Sequence, residues 1–255
     1  SQFDTIDQDV ASVVKESREF AETSPVPDPA SATRHVYSES SPSIPAPPPA
    51  TRSITMTQAT HEALAEEMKT NPRIFVMGEG IGVRGGNFKT TTGLFDLYGA
   101  ERLCDTPICE RGFVGLACGA GMTGTRPVID FMFADFVLDS VGEIINQIAK
   151  MQYMSCGRLR MPVLLRGCIG IGHSAATHHS GSYYSMYAQF PGLRVVVPST
   201  PADAKGLLKS AIRDPNPVVF LENELLYGRT FDVPTGEYSA PPFSAMNGSL
   251  RESCC

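Results

Sequence analysis

Asp105-Thr-Pro-Ile-Cys-Glu110, followed by Arg111-Gly-Phe-Val-Gly115 and a run of small residues to Gly124, is the stretch that decides the fold. It predicts a short strand that leads into a helix rich in glycine and alanine, with Glu110 between the two. In α/β proteins, the loops that leave the carboxyl ends of the strands hold the ligands. A carboxylate at this point can be withdrawn from water and directed at a nitrogen atom of a ligand.

Glu110 also has a purely structural interpretation. A carboxylate at the first position of a helix interacts with the free N–H groups and the helix dipole, which stabilises the helix by roughly 0.5–1 kcal/mol. The spacing alone leaves both interpretations open.

The remainder of the chain alternates between helical and strand patterns. Short apolar strands separated by helices predict an α/β fold with a mostly parallel sheet, flanked by helices on both faces. Strands are predicted at 74–77, 103–105, 128–131, 163–166, 195–197 and 218–222, and helices at 57–69, with Thr57 as the cap, 113–122, 138–154, 182–188 and 202–213.

The first part of the chain differs from this pattern. Its apolar residues recur at helical spacing up to about Ala21, and eight of the chain's 20 prolines lie in the first 50 residues. We therefore expect a helix and a proline-rich linker over residues 1–52, a domain over 53–238, and an unpatterned tail over 239–255.

Composition argues against several classes of partner. The 255 residues carry a formal net charge of −6, which disfavours nucleic acid as the main partner. No apolar run reaches the roughly 18 residues of a membrane span, so no membrane partner is expected. Seven cysteines without a CxxC pair, and the lack of a signal-peptide pattern, predict an intracellular protein with reduced thiols.

Two glycine-containing motifs have weaker interpretations. Gly80-Ile-Gly82-Val-Arg-Gly85 matches the dinucleotide-binding pattern GxGxxG, but Arg84-Gly-Gly-Asn87 is typical of a loop and offers no helix to a pyrophosphate. Gly172-His-Ser174-Ala-Ala176 resembles a nucleophile elbow. The only histidines after that serine, His178 and His179, follow it too closely for an α/β-hydrolase.

His173, His178 and His179 form one local cluster, yet they lack an acid or a cysteine at ligand spacing. A metal site there is no better supported than an ordinary loop. The glycine-rich stretch Gly167-Cys-Ile-Gly-Ile-Gly172 before them indicates a loop that lines a pocket.

Longer stretches carry a more specific signal. They run in order along residues 53–235 and comprise Asp105–Phe113, Phe131-Met-Phe-Ala-Asp-Phe136, Ala149-Lys-Met-Gln-Tyr-Met154, His179-Ser180, Pro191-Gly-Leu-Arg-Val-Val-Val-Pro198, Asp203-Ala-Lys-Gly-Leu207, Ser210-Ala-Ile-Arg-Asp214 and Leu221-Glu-Asn-Glu-Leu-Leu-Tyr227. Together they resemble the β subunits of the thiamine-diphosphate-dependent 2-oxo acid dehydrogenases, the family of the pyruvate, branched-chain 2-oxo acid and acetoin dehydrogenases.

The resemblance implies a transketolase-type pyrimidine-binding domain. It also implies an oxidoreductase component that activates thiamine diphosphate for oxidative decarboxylation of a 2-oxo acid and for acyl transfer to a lipoyl group. Glu110 matches the carboxylate that hydrogen-bonds the aminopyrimidine ring of the cofactor. Ile108, Met132 and Phe136 match residues that wedge or stack against that ring, and His179 matches an active-site histidine near the thiazolium.

A structural potassium site is the second site that the resemblance implies. In the family it is built largely from backbone carbonyls, and the matching residues are Val163, Ala211, Ile212, Asp214 and Asn216, with Pro215 in place of a more usual polar residue.

The resemblance further implies partners. An α subunit or α-type domain holds the diphosphate and its Mg²⁺ through a Gly-Asp-Gly…Asn motif that this chain lacks. The other partners are a second β-type chain, in a heterotetramer of two α and two β subunits, a lipoyl acyltransferase component, and the 2-oxo acid. The alternative is a non-catalytic assembly module of the same fold that binds no cofactor.

Two departures from the family concern the ends of the chain. Glu19-Phe-Ala21, Ser24-Pro-Val-Pro-Asp-Pro29 and His35-Val-Tyr37 resemble the end of the α subunit, which suggests a fragment of a fused α–β chain. The family also has a C-terminal domain, and this sequence stops near its beginning. We expect the protein in the cytoplasm, or in the mitochondrial matrix if the source is eukaryotic.

Overall fold

The computed structural model describes residues 2–32, 34, 36–37, 50–172 and 174–240. Most of the proline-rich segment, His173 and the predicted tail beyond residue 240 lie outside the described residues. The chain divides into two compact units, Ser1–Arg34 and His35–Cys255.

The first unit contains one long helix. Helix α1 spans Gln2–Thr23, where the helical spacing predicts it, and its apolar side chains, including Val10, Val13 and Phe20, are exposed. A 3-10 turn follows at Pro29–Ser31, where the Asp28 carboxylate accepts a hydrogen bond from the backbone N–H of Ala30 at 2.9 Å.

A six-stranded sheet forms the centre of the second unit, and all of its strand pairs are parallel. The strand order is β3-β2-β4-β5-β7-β6, which confirms the predicted fold class. The strands are β2 (Ile74–Gly78), β3 (Leu103–Asp105), β4 (Arg126–Phe133), β5 (Leu164–Ile169), β6 (Arg194–Val196) and β7 (Val218–Asn223).

A second, two-stranded sheet was not predicted. Strand β1 (Thr51–Thr55) pairs antiparallel with β8 (Thr230–Pro234), and in each strand a single residue, Ile54 or Val233, is buried. One buried position per strand gives no alternating pattern for sequence analysis to detect.

Helices cover both faces of the large sheet. Helix α2 (Met56–Thr70) packs beside α7 (Pro201–Arg213) over one face, and α4 (Glu110–Met122) packs against β4 on the other. Three short helices complete the set: α3 (Leu94–Tyr98), α5 (Met151–Met154) and α6 (Tyr184–Tyr187). No helix in the described part of the chain is both long and apolar enough to span a membrane.

Two helix predictions need correction. The cap of α2 is Thr55 rather than Thr57, because the Thr55 hydroxyl accepts the Gln58 N–H at 3.1 Å. The helix predicted over 138–154 is broken into a 3-10 segment, Ala134–Ser140, a π-helical turn, Glu143–Ile148, and α5. The π turn leaves Ile144 and Ile148 fully buried, so packing rather than helical periodicity sets the local geometry.

Candidate functional site

The candidate site lies at the carboxyl ends of four neighbouring strands. In the order β3, β2, β4 and β5, the segments that leave these ends carry Glu110, Glu79, Phe136 and His179. Parallel strands bring these chain segments to one edge of the sheet, which is where ligands bind in such folds.

Glu110 is the first residue of α4 and is 8% exposed. The cap residue before it, Cys109, makes no side-chain hydrogen bond to the helix. Within the described residues, no donor forms a hydrogen bond with the Glu110 carboxylate. A buried carboxylate at the positive end of a helix dipole, with oxygen atoms free to accept, is suited to a ligand N–H group.

A second carboxylate lies near the first. Burial and the negative charge of Glu110 together raise the pKa of Glu79 above its ordinary value. Glu79 was not identified from the sequence, although it lies two residues after the predicted strand 74–77 and directly before the glycine motif. This signal resembles the one that identified Glu110.

Two of the predicted site residues, Phe136 and His179, are in contact. The His179 ring contacts Phe133 and Phe136 edge to face, with centroid distances of 4.7 and 5.3 Å. His179 is half-buried in this arrangement, whereas its neighbour His178 is exposed. Phe136 is also half-buried, so one face of this group remains open to a ligand.

Met132 and Ile108 differ in their surroundings. Met132 is half-buried and packs against the same apolar cluster as Phe133, which also includes Phe136. Ile108, in contrast, is 82% exposed, so the described structure leaves it outside the packed group.

Asp135 connects the two loops of the site, and sequence analysis did not identify it. Its carboxylate accepts hydrogen bonds from the Tyr183 hydroxyl at 3.1 Å and from the Gly181 N–H at 3.2 Å. Burial and this hydrogen bond raise the pKa of Tyr183. Asp135, Phe136, His178 and Tyr183 help to line an open cavity of about 370 Å³ beside the histidine loop.

The carbonyl cluster predicted for potassium lies at the end of α7 and the start of β5. The carbonyl oxygens of Ile212 and Asp214 each accept a hydrogen bond from Arg126 Nη1, at 2.8 and 2.9 Å, and the Val163 carbonyl accepts from the Val218 N–H at 3.0 Å. A carbonyl oxygen has two lone pairs, so one hydrogen bond leaves room for a hard cation. The positively charged guanidinium of Arg126 already occupies two of these oxygens, and a potassium ion at the cluster stays a prediction.

The weaker motifs have structural explanations. No helix begins at Gly85: the chain continues as a loop to α3, which starts at Leu94, so a dinucleotide site of the GxGxxG type is not formed. Asp105 holds this loop by accepting the Gly82 N–H at 3.0 Å. Across the described residues, no group of three or more His, Cys, Asp or Glu side chains is placed to hold a metal ion.

The fold and the site thus define a parallel α/β domain whose ligand edge carries a buried carboxylate and an aromatic wall. Residues 52–230 match the family described as "Transketolase, pyrimidine binding domain". The chain belongs to this family.

Related sequences share a more specific name. The chain is 51% identical over 195 residues to the pyruvate dehydrogenase E1 component subunit beta of Rhizobium meliloti, a match that covers 76% of this chain and 42% of the relative. It is 48% identical over 184 residues to the mitochondrial subunit beta-2 of Oryza sativa, covering 72% of this chain and 49% of the relative. These matches confirm the resemblance to β subunits of 2-oxo acid dehydrogenases. The chain spans about half the length of the relatives that it matches.

A solved structure shows the same fold. The chain called "Split gene transketolase, inactive beta4 tetramer" aligns with a TM-score of 0.54 and 21% sequence identity, over 69% of this chain and 52% of that one. At this identity the likeness extends to the fold alone.

Proposed function

We propose that this chain is the pyrimidine-binding part of a thiamine-diphosphate-dependent 2-oxo acid dehydrogenase of the β-subunit type. The observation that carries the proposal is the buried carboxylate of Glu110, which has no donor among the described residues and begins the helix beside the Phe136–His179 group. The names of the relatives, pyruvate dehydrogenase E1 subunits beta, support pyruvate as the 2-oxo acid.

The residues of this chain bind and orient one end of the cofactor. Glu110 accepts a hydrogen bond from a nitrogen of the aminopyrimidine ring and holds a proton at that position. Met132 and Phe136 provide apolar surface against the ring, and Ile108 covers it from the side of the helix start. When bound, thiamine diphosphate supplies the electron sink for the decarboxylation.

His179 is the residue that we assign to the substrate. Its ring is fixed from two sides by Phe133 and Phe136, and it remains partly accessible. An imidazole held in this way can donate a hydrogen bond to the carboxylate or carbonyl oxygen of a 2-oxo acid.

A partner completes the site in this proposal. An α subunit or α-type domain holds the diphosphate and Mg²⁺, because this sequence has no Gly-Asp-Gly…Asn motif. A second β-type chain can pack on α4, where a Cβ on Gly115 or Gly119 would meet nothing within 4 Å. Acyl transfer then requires a lipoyl acyltransferase component.

The organisation of the chain is part of the same proposal. We assign residues 53–238 to the pyrimidine-binding domain and residues 1–52 to a segment of the α-subunit type, with a potassium ion at the carbonyl cluster. Some relatives are named as mitochondrial proteins, which supports the mitochondrial matrix if the source is eukaryotic.

The test is Glu110→Gln in the chain reconstituted with an α subunit of the pyruvate dehydrogenase type. The amide cannot share a proton with the ring nitrogen, so we expect exchange of the cofactor C2 proton for deuterium to slow by about 100-fold or more. Glu101→Gln is the matched control, since Glu101 is exposed and lies outside the site.

Exchange at the wild-type rate in Glu110→Gln would refute the assignment of this carboxylate. Failure of the wild-type complex to bind thiamine diphosphate would instead favour the non-catalytic assembly module.

A further inference from the structure

A β-bulge precedes the aromatic wall of the candidate site. Asp130 of β4 pairs with Arg166 of β5, and the pairing resumes at Phe133 and Cys168. Between these two pairs β4 advances by three residues and β5 by two, so β4 contains one extra residue. Bulges are frequent next to active sites, where they redirect a side chain.

Met132 adopts the left-handed conformation within this bulge, with φ at +58°. Among the described residues with positive φ, it is the one non-glycine residue that lies inside a β-strand. The left-handed region is unfavourable for a methionine, which has no side-chain group to stabilise it locally. The surrounding structure must therefore hold this conformation.

The Asp130 carboxylate holds the backbone of Met132 directly. Its Oδ1 accepts a hydrogen bond from the Met132 N–H at 3.0 Å. Its Oδ2 accepts from Arg166 Nη1 at 2.5 Å, so one carboxylate joins the bulge to the neighbouring strand. On β5, Gly167 permits the close approach, because a Cβ there would lie 3.2 Å from the Ala134 nitrogen.

Arg166 is in turn fixed by Glu222 of the neighbouring strand β7 and by Thr90. Its Nε and Nη2 donate to Glu222 Oε2 at 3.1 and 2.5 Å, and its Nη1 also donates to the Thr90 hydroxyl at 3.1 Å. Glu222 Oε1 accepts from the Thr60 hydroxyl at 2.6 Å. The guanidinium is 2% exposed, and Glu222 is fully buried. Burial opposes the charge, but Asp130 and Glu222 outweigh it and raise the pKa of Arg166.

Stability alone does not account for such a network. A buried ion pair recovers little more than the cost of its own desolvation, and apolar residues of similar size often serve the core as well. What the network does provide is a fixed orientation: strands β4, β5 and β7 are joined through one planar guanidinium directly beneath the bulge.

We propose that Asp130, Arg166 and Glu222 are positioning residues that hold Met132 in its left-handed bulge and so shape the wall against which the aminopyrimidine ring packs. The inference rests on the proposed function and extends it, because these side chains act through Met132 and contact no cofactor themselves.

The test compares Asp130→Ala with Asp130→Asn in the full chain. The alanine removes the acceptor for the Met132 N–H, whereas the asparagine retains a side-chain oxygen at that position. Hydrogen–deuterium exchange of peptides covering residues 131–134 reports on whether Asp130 holds the Met132 N–H, and this measurement needs no cofactor. We expect faster exchange in Asp130→Ala, and exchange in Asp130→Asn closer to the wild-type rate. Asp96→Ala, a substitution of an exposed acid in α3, is the control.

The second measurement is the KM for thiamine diphosphate in the complex with an α subunit. We expect Asp130→Ala to raise this KM by about tenfold or more, with a smaller change in kcat at saturating cofactor, because a displaced wall weakens binding. Asp130→Asn should recover most of the loss. If Asp130→Ala does not fold, Arg166→Lys provides the same test, since one ammonium group cannot span both carboxylates.

The outcomes separate the two proposals. Faster exchange at 131–134 with an unchanged KM would overturn the positioning role and leave the proposed function intact. Unchanged exchange in Asp130→Ala would overturn it as well, because the bulge would then be held by other contacts. A wild-type complex that binds no thiamine diphosphate would refute the proposed function, and the positioning role with it.

Discussion

Gly78→Ala should be one of the most damaging single-methyl additions to this fold. Gly78 ends β2 and pairs with Asp130 of β4. A Cβ on Gly78 would lie 2.2 Å from the backbone oxygen of Asp130, whereas real Cβ atoms essentially never come within 3.0 Å of such an atom. The two strands must therefore separate by at least 0.8 Å, the difference between those distances. Because the obstructing atom belongs to a paired backbone, no side-chain rotation relieves the clash.

The expected change in the free energy of unfolding combines two destabilising contributions and one stabilising contribution. Overpacking costs about 1–3 kcal/mol, and a side chain at φ +157° costs about 1–3 kcal/mol more. The reduced freedom of the unfolded chain returns about 0.4–1 kcal/mol. We expect the free energy of unfolding to fall by about 1–6 kcal/mol, measured by urea unfolding of the full chain with circular dichroism.

Alanine substitutions at two other glycines distinguish the steric clash from the backbone strain. Gly236 has φ at +84° and open space around its Cβ position, so Gly236→Ala measures backbone strain without a clash. Gly228 has open space and no positive φ, so Gly228→Ala should change the free energy of unfolding by no more than about 0.5 kcal/mol. If Gly78→Ala and Gly236→Ala unfold at the same urea concentration, the steric argument is wrong.

Three further predictions concern the site and its surroundings. His179→Ala should reduce turnover of the reconstituted complex much more than His178→Ala, since His179 is fixed against the aromatic wall and His178 is exposed; equal small losses would contradict this. Glu79→Gln should become more stable relative to wild type as pH rises above the ordinary pKa of a glutamate, about 4.3. The raised pKa of Glu79 means that the folded state holds this proton more tightly than the unfolded chain, so wild-type stability falls as the carboxyl ionises. A stability difference that is independent of pH would contradict the raised pKa of Glu79, which burial and the charge of Glu110 together produce. Potassium chloride should raise the melting temperature above that in choline chloride of equal ionic strength, because an ion bound only to the folded state stabilises it; equal melting temperatures in the two salts would argue against a potassium ion at the carbonyl cluster.

The strands were predictable because each is a short apolar run bounded by polar or helical segments. Strand β3 has the predicted bounds, Leu103–Asp105, and the other five strands of the large sheet overlap their predictions. The pair β1–β8 was not predictable, because its members are far apart in the sequence and mostly exposed. Sequence periodicity reports burial on one face, and a strand with one buried residue has almost none.

The same distinction applies to the candidate site: residues with a local motif were predictable, and residues whose role depends on distant contacts were not. Glu110 and His179 lie where local motifs place them, at the exits of strands. Asp135 was missed because its role depends on Tyr183, which lies 48 residues away in the sequence. The bulge at Met132 was missed for a related reason: methionine gives no local signal for the left-handed conformation, which is held by contacts across three strands.

The distribution of exposure around Glu110 bears on how the site is completed. The carboxylate is 8% exposed, yet Ile108, two residues before it, is 82% exposed and Leu116 on the same helix is 55% exposed. Large apolar side chains that flank a buried charged group on one surface are typical of an interface. No loop among the described residues packs over these apolar groups. We therefore expect a separate subunit or domain, such as the proposed α partner, to cover them. On this argument Ile108→Ser should weaken assembly with an α subunit while leaving the urea midpoint of the isolated chain nearly unchanged, and a large loss of stability in the isolated chain would show that Ile108 is instead part of its core.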